Sequence, residues 1–241
     1  MRTWGARRRT TRTFVVAAVA TAVALGASAC TGGEEQAKAK GQTPAELLSS
    51  ARTTLETSPS VSFTLESANL PGKAVGISGA KGTGRFTPPS FKGTLNATIS
   101  GVTGTVDVIA IDKQVWMKFF TPDYNPINPA DYGAPNPAQL FDTKTGITSL
   151  VDKTQGVQKE GTVRDGADVL ATVKGTLPGS AVADLLVVGD RAATFGVSYG
   201  ITDRGGELRR VVLTGPFYKG ATSTYTLRLK RLDQPVEITR P

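Results

Sequence analysis

The stretch VDVIAIDKQVWMKFF, residues 106–120, contains the pattern that decides the fold. Apolar side chains recur at every second position on both sides of Asp112-Lys113, which is a turn signal. A period of two predicts β-strands with one apolar face and one face that meets water. The stretch is therefore predicted to be an antiparallel hairpin whose apolar positions are Val106, Val108, Ala110, Val115, Met117 and Phe119.

The same alternation recurs on both sides of this hairpin. Turn signals such as Asp165-Gly166 and Lys219-Gly220 separate the runs, and short turns join strands that are mostly antiparallel. Eight to eleven strands are expected, in a large twisted sheet with one apolar face. The further runs lie near residues 61–65, 95–102, 169–173, 195–201, 208–214, 225–229 and 236–238.

Few helices accompany this sheet. Thr43 and Glu46 have the spacing of a capping box, and apolar residues follow at helical spacing until Ser58-Pro59. Residues 120–137 contain too many prolines for a strand or a helix interior. A large one-sided sheet with few helices is an α+β fold, and further short helices are predicted around residues 138–141, 145–154 and 178–187.

An apolar sheet face must be covered by other parts of the chain. The short helices either fill the concave side completely, which gives an ordinary core, or leave an apolar cavity of the kind that holds acyl chains. Periodicity does not distinguish these two arrangements, and both stay open at this point.

Residues 1–30 have the layout of an export signal. Five arginines precede an apolar run of twelve residues, Phe14–Leu25, which is shorter than the roughly 20 residues of a spanning helix. Small residues lead directly to Cys30, the only cysteine of the chain. This order is typical of a bacterial lipobox, although Ala27 stands where leucine is commonest. Cleavage before Cys30 and attachment of diacylglycerol to its thiol are predicted; the alternative is a plain A-x-A cleavage site.

Three segments follow from this interpretation: a cleaved signal peptide over residues 1–29, an acylated Cys30 with a flexible tether to residue 42, and one domain over residues 43–241. The mature protein is expected on the extracytoplasmic, periplasmic face of the cell membrane. Loss of residues 1–29 removes five arginines and no acidic residue, so the net charge falls from +8 to +3. No strong basic face remains to favour nucleic acid as a partner.

Catalytic chemistry has little support in the sequence. The chain contains no histidine, which excludes the commonest general base, the usual catalytic triads and most zinc sites. Gly82-Thr83-Gly84 has no third glycine and no following helix for nucleotide binding, so a strand or hairpin explains it better. The sequence predicts no enzyme, no metal site and no cofactor.

A resemblance to a known family appears in two stretches. IDKQVWMKFFTPDYNPINPADYGAPNPAQLFDTKTGITSLV, residues 111–151, resembles the actinobacterial lipoprotein family that includes LppX, LprA, LprF and LprG. In that family an apolar-aromatic strand leads into a loop rich in Pro, Asn and Asp and then into a helix start, here 137–140 with Gly146-Ile147. The closing stretch LKRLDQPVEITRP, residues 229–241, is similar to the family's last strand.

The resemblance implies a half-barrel sheet over a few helices with an apolar cavity between them, similar to the LolA/LolB carriers. It also implies binding of multiply acylated lipids or glycolipids and their transport across the periplasm, in some members together with a membrane efflux transporter. Cargo differs between members, so the resemblance does not name the ligand.

Alternation and the family picture together predict which side chains face the cavity. From the sheet these are Val61, Phe63, Leu65, Leu95, Ala97, Ile99, Val106, Val108, Val115, Met117, Phe119, Val169, Ala171, Val173, Phe195, Val197, Leu227 and Leu229. Helix residues Leu47, Leu48, Leu185 and Leu186 are expected on the opposite wall. For each of them the alternative is a core position that touches no ligand.

Two functions of different classes fit this sequence. The first is a membrane-anchored lipoprotein that binds and carries acylated lipids. The second is a scaffold lipoprotein that assists a membrane transporter with its sheet core closed. An importer subunit would normally show an alternating βαβ pattern, which is absent here.

Overall fold

One sheet of eleven strands makes up most of the protein, in a computed structural model that describes residues 41–72, 74–99, 102–118 and 121–241. Cys30, the rest of the predicted signal and most of the tether, together with Phe119 and the side chain of Ile99, lie outside the described residues. Gly41–Pro241 forms one compact unit. The strands are β1 Ser60–Ala68, β2 Gly76–Phe86, β3 Pro89–Ile99, β4 Val102–Ile111, β5 Gln114–Lys118, β6 Asn125–Ile127, β7 Gln155–Asp165, β8 Asp168–Pro178, β9 Thr194–Thr202, β10 Leu208–Tyr218 and β11 Ala221–Leu232.

The first and the last strand of the chain lie next to each other in the middle of the sheet. The order is β6-β5-β4-β3-β2-β1-β11-β10-β9-β8-β7, and all neighbours are antiparallel. β1 pairs with β11 in register from Ser60↔Leu232 to Ala68↔Thr224. Strands β1–β6 therefore run outward to one edge, and β7–β11 return from the other edge. The predicted α+β class with a large antiparallel sheet in a half-barrel is confirmed.

The helices are short and few, as predicted. The α-helices are α1 Pro44–Glu56, α2 Leu150–Lys153 and α3 Gly179–Leu186, and 3₁₀ helices span Pro129–Tyr132, Pro137–Phe141 and Ile147–Ser149. The capping box of α1 is present, since Thr43 Oγ1 accepts from the Glu46 amide at 3.2 Å and Glu46 accepts from the Thr43 amide at 2.8 Å. None of these described helices combines the length and apolar character that crossing a membrane requires.

Residues 128–154, called here the cover segment, connect β6 at one edge of the sheet to β7 at the other edge. Because these edges lie on opposite sides, the segment has to cross a face of the sheet, and it crosses the apolar one. Its Phe141 packs edge-on against Phe63 and Phe86, with ring centroids 5.5 and 5.7 Å away. Arg52 of α1 holds its far end by donating to the Thr143 carbonyl at 3.1 Å.

Two aromatic clusters fill the concave face on either side of the middle strands. Phe63, Phe86, Phe91 and Phe141 form the first, under the 3₁₀ helix Pro137–Phe141. Phe195, Phe217 and Tyr225 form the second, with centroids 4.8 and 4.7 Å apart. Much of the concave side is therefore ordinary packed core.

Four parts of the strand prediction differ from the structure. Residues 120–137 were predicted to contain too many prolines for a strand, but β6 lies within them; it accommodates Pro126 because it is a short edge strand. Residues 236–238 are not a strand: Val236 donates its amide to Ser60 Oγ at 2.8 Å and Ile238 is buried, so the tail packs without joining the sheet. Strands β2 and β7 were not predicted, because β2 carries glycines where inward side chains would stand and β7 is exposed on both faces. Neither strand therefore shows the apolar alternation that marks the others.

Candidate functional site

Three small apolar cavities lie between the concave face of the sheet and the elements that cover it. Their volumes are about 40, 40 and 30 Å³. The first lies under the 3₁₀ helix Pro129–Tyr132 and the prolines that follow it. Its sheet wall consists of Gly76, Ile77, Leu95, Ala97, Val106, Val108, Val115, Met117 and Ile127, and its cover wall of Pro129, Tyr132, Ala134, Pro135 and Pro137.

The second and third cavities continue the first across the sheet. The first and second share the walls Gly76, Ile77, Ala134 and Pro135. The second and third share Leu65, Leu140, Leu186 and Tyr225. The cavities thus form a row from β6 to β10, and the residues that separate them come from the sheet, the cover segment and α3.

The size of the cavities decides what this conformation can hold. Sites for drug-sized ligands measure roughly 300–1,000 Å³, and even the row as a whole is smaller. The concave side is therefore mostly filled, and the open cavity that the resemblance implies is present only as these separate spaces. An acyl chain enters the row only if the cover segment moves away from the sheet.

The predicted lining residues divide into two groups. Those that line a cavity are Phe63, Leu65, Leu95, Ala97, Val106, Val108, Val115, Met117, Leu186 and Leu227. Those that are packed into the structure without lining one of the three are Leu47, Leu48, Val61, Ala171, Val173, Leu185, Phe195, Val197 and Leu229. Cys30, Ile99 and Phe119 have no described side chain and stay untested.

Val169 is placed differently from the prediction. Its side chain is 39% exposed and borders a surface hollow with Asp168, Asp203 and Arg209. It has the same parity as the buried Ala171 and Val173, but it stands at the start of β8, beyond the elements that cover the concave face. Alternation predicts which face of the sheet a side chain lies on. It does not predict where along the strand other elements cover that face.

Several wall residues were missed by the sequence prediction. Val211 and Leu213 lie in a predicted strand, and its alternation would have identified them as inward-facing. The residues of the cover wall could not be predicted from alternation, because a proline-rich stretch has no periodicity that indicates which side chains face the sheet. Ile77 was missed with its strand, since β2 was not predicted.

The polar groups beside the second cavity are two tyrosines, Tyr218 and Tyr225. Their hydroxyl oxygens are 3.0 Å apart, and Tyr225 donates to the Ile77 carbonyl at 3.2 Å. Burial and the neighbouring Tyr218 hydroxyl raise the pKa of Tyr225, so it remains protonated at physiological pH. In the described part of the chain no group of three or more potential metal ligands occurs.

Comparison with known proteins agrees with this architecture. The family model described as LppX_LprAFG lipoprotein matches residues 43–238. LprF from Mycobacterium bovis has a crystal structure similar to this chain, with a TM-score of 0.69 and 16% identity over 82% of this chain and 96% of that one. Lipoprotein LppX from Mycobacterium tuberculosis has a TM-score of 0.62 and 17% identity over 81% of this chain and 98% of that one. No curated protein sequence matches the chain significantly.

Proposed function

The chain belongs to the LppX_LprAFG lipoprotein family, and from this we propose that it is a membrane-anchored lipoprotein that binds multiply acylated lipids or glycolipids under its cover segment. It carries them across the periplasm toward the outer envelope. It needs no catalytic group for this activity, because burial of acyl chains supplies the binding free energy at about 0.8 kcal/mol per CH₂.

The observation that carries the proposal is the row of apolar cavities. Consecutive cavities share their walls: displacing Ala134 and Pro135 joins the first two, and displacing Leu140 together with Leu186 of α3 adds the third, which gives one groove from β6 to β10. An elongated apolar groove fits an acyl chain, whereas a compact polar substrate would leave its hydrogen-bonding groups unpaired there.

The two halves of the cover segment differ in how firmly they are held. The 3₁₀ helix Pro129–Tyr132 buries none of its side chains. The following helix buries Pro137, Ala138 and Phe141. Opening is therefore expected in the first half, which lies over the first and second cavities, while Phe141 stays in the aromatic cluster.

Lipidation of Cys30 and the tether to residue 42 complete the proposal. Twelve residues of this composition have a root-mean-square reach of about 20 Å and stretch to about 40 Å. This reach lets the domain turn toward the membrane and away from it while it remains anchored. A membrane efflux transporter is the proposed partner that supplies the cargo.

Native mass spectrometry of the full-length chain, extracted in detergent from an actinobacterial host, tests the anchor and the cargo together. An acylated Cys30 keeps its added mass after denaturation. A carried lipid appears as a stoichiometric adduct in the native spectrum and is lost on denaturation. A folded protein that shows no adduct, and takes up no added glycolipid or triacylglycerol, contradicts lipid carriage.

The small volumes favour a second candidate, the scaffold lipoprotein with a closed core. Val108→Trp separates the two, since Val108 is 2% exposed and lines the first cavity. Lipid carriage is expected to fall at least tenfold in this variant, because the extra volume cannot be placed without displacing the cover segment. Met117→Trp, at a half-buried position of the same cavity, repeats the test if Val108→Trp does not fold.

The matched control is Val163→Trp on β7, where the valine is 38% exposed and lies outside all three apolar cavities. Under the lipid-carrier hypothesis the control keeps full lipid uptake. Under the scaffold hypothesis both variants keep their transporter complex, and neither loses an activity that depends on it.

A further inference from the structure

The two tyrosines of the second cavity form a short hydrogen-bonded chain with a defined direction. The Ile77 carbonyl oxygen is only an acceptor, so Tyr225, 3.2 Å away, uses its one proton to donate to it. The contact between the two hydroxyls at 3.0 Å then requires Tyr218 to donate to Tyr225. The raised pKa of Tyr225 is consistent with this arrangement, because the arrangement needs a neutral phenol.

Tyr218 is left as an acceptor. Its one proton is shared between Tyr225 and the more distant Val75 carbonyl, and its oxygen retains two lone pairs. Among the described residues its other polar neighbour is the Val75 carbonyl, 3.5 Å away, which is an acceptor as well. No described side chain or amide donates to the Tyr218 oxygen.

This acceptor stands where the first and second cavities meet. Gly76 lines both cavities, and a Cβ built on it would lie 3.6 Å from the Tyr218 hydroxyl oxygen. Tyr218 and Tyr225 both line the second cavity. A ligand that occupies both cavities therefore passes close to the Tyr218 oxygen.

We infer that Tyr218 is a polar subsite that accepts a hydrogen bond from a free hydroxyl of the acylated ligand, such as that of a glycerol or a sugar. The inference rests on the proposed function and specifies its ligand class. A lipid with a free hydroxyl satisfies the oxygen inside an otherwise apolar space. A fully esterified or etherified lipid offers only acceptors, so it gives this half-buried oxygen no hydrogen bond in place of the water it displaces.

The test compares two probes that differ in one group: dioleoylglycerol, and the same lipid with its hydroxyl capped as a methyl ether. Their dissociation constants for the full-length chain are measured by displacement of a fluorescent fatty acid. Wild-type protein is expected to prefer dioleoylglycerol by about three- to tenfold, the range of one hydrogen bond. Tyr218→Phe is expected to bring the ratio to about one through weaker binding of dioleoylglycerol.

Tyr124→Phe is the matched control, since Tyr124 lines none of the three cavities and its loss of a hydroxyl is expected to leave the ratio unchanged. Equal binding of the two probes by wild-type protein, or a preference that persists in Tyr218→Phe, overturns the inference and leaves lipid carriage intact. Binding of neither probe by folded wild-type protein overturns both. Equal binding by wild-type protein overturns the inference even if a variant does not fold.

Discussion

At the scale of single residues, Gly84 is a position where the cover segment approaches the sheet closely. A Cβ built on Gly84 would overlap ring atoms of Phe141. Phe141 is 2% exposed and lies against Phe63 and Phe86, so its ring has little room to move away. The Gly82-Thr83-Gly84 fragment thus lies in a strand, one of the two structures that its sequence favoured, and Gly84 allows that strand to pack against the cover segment.

Gly84→Ala is expected to lower the free energy of unfolding by about 1–3 kcal/mol, the usual cost of overpacking. Urea unfolding measures the change through the midpoint of the transition. The control is Gly196→Ala on β9, whose new Cβ would meet only the Thr214 carbonyl oxygen at 3.8 Å. A change within about 0.5 kcal/mol is expected there, and equal losses in the two variants would contradict the packing argument.

At the scale of elements, an asparagine begins each of the first two 3₁₀ helices of the cover segment, and only one of these two asparagines also bonds to the sheet. Asn136 accepts from the Ala138 amide at 3.0 Å and donates to the Asp112 carbonyl, in the β4–β5 turn, at 2.7 Å. Asn128 accepts from the Ala130 amide at 3.3 Å and otherwise bonds to the nearby Asp131. The bond from Asn136 to Asp112 joins the cover segment to the sheet, whereas the bonds of Asn128 stay within its own turn.

Asn136→Ala is therefore expected to destabilise the protein by about 1–2 kcal/mol, from a lost cap and a lost tertiary hydrogen bond. It is also expected to speed hydrogen exchange across residues 128–141. Asn128→Ala should leave exchange beyond its own 3₁₀ helix unchanged. Hydrogen-exchange mass spectrometry compares the two variants, and similar profiles would show that Asn136 does not hold the cover segment on the sheet.

At the scale of the whole molecule, the pairing of β1 with β11 closes the sheet in its middle and leaves the cover segment as the part that can move. The register between these strands is unbroken over nine pairs. The cover segment has no such ladder over residues 128–135. Ligand entry is therefore expected to begin at the cover segment.

Loading with dioleoylglycerol is expected to change hydrogen exchange in residues 128–135 and to raise the melting temperature, because a ligand that binds only the folded state stabilises it. Strand β7 provides the internal control, since it is exposed on both faces and far in strand order from the first cavity. A change spread evenly over all strands would argue against local opening of the cover segment.

Much of this protein follows from its sequence alone. Local patterns predicted most of the strands, the capped helix α1, the short later helices and the family, because periodicity, capping and turn signals depend on residues close together in the chain. The inward position of Val108 and Met117 follows in the same way. The alternation signal is missing from β2, which carries glycines, from β7, which is exposed on both faces, and from β6, which contains a proline. Residues 236–238 were wrongly predicted as a strand, and Val169 is exposed because its strand extends past the elements that cover the sheet.

Only the tertiary structure decided how the concave face is filled. The route of the cover segment follows from β6 and β7 being opposite edges, which depends on strand pairing between distant parts of the chain. The Tyr225–Ile77 hydrogen bond joins residues 148 positions apart. Cavity size likewise depends on how side chains from many elements fit together, to within less than the volume of a methylene group. No local pattern contains that information, because packing is a property of the assembled fold.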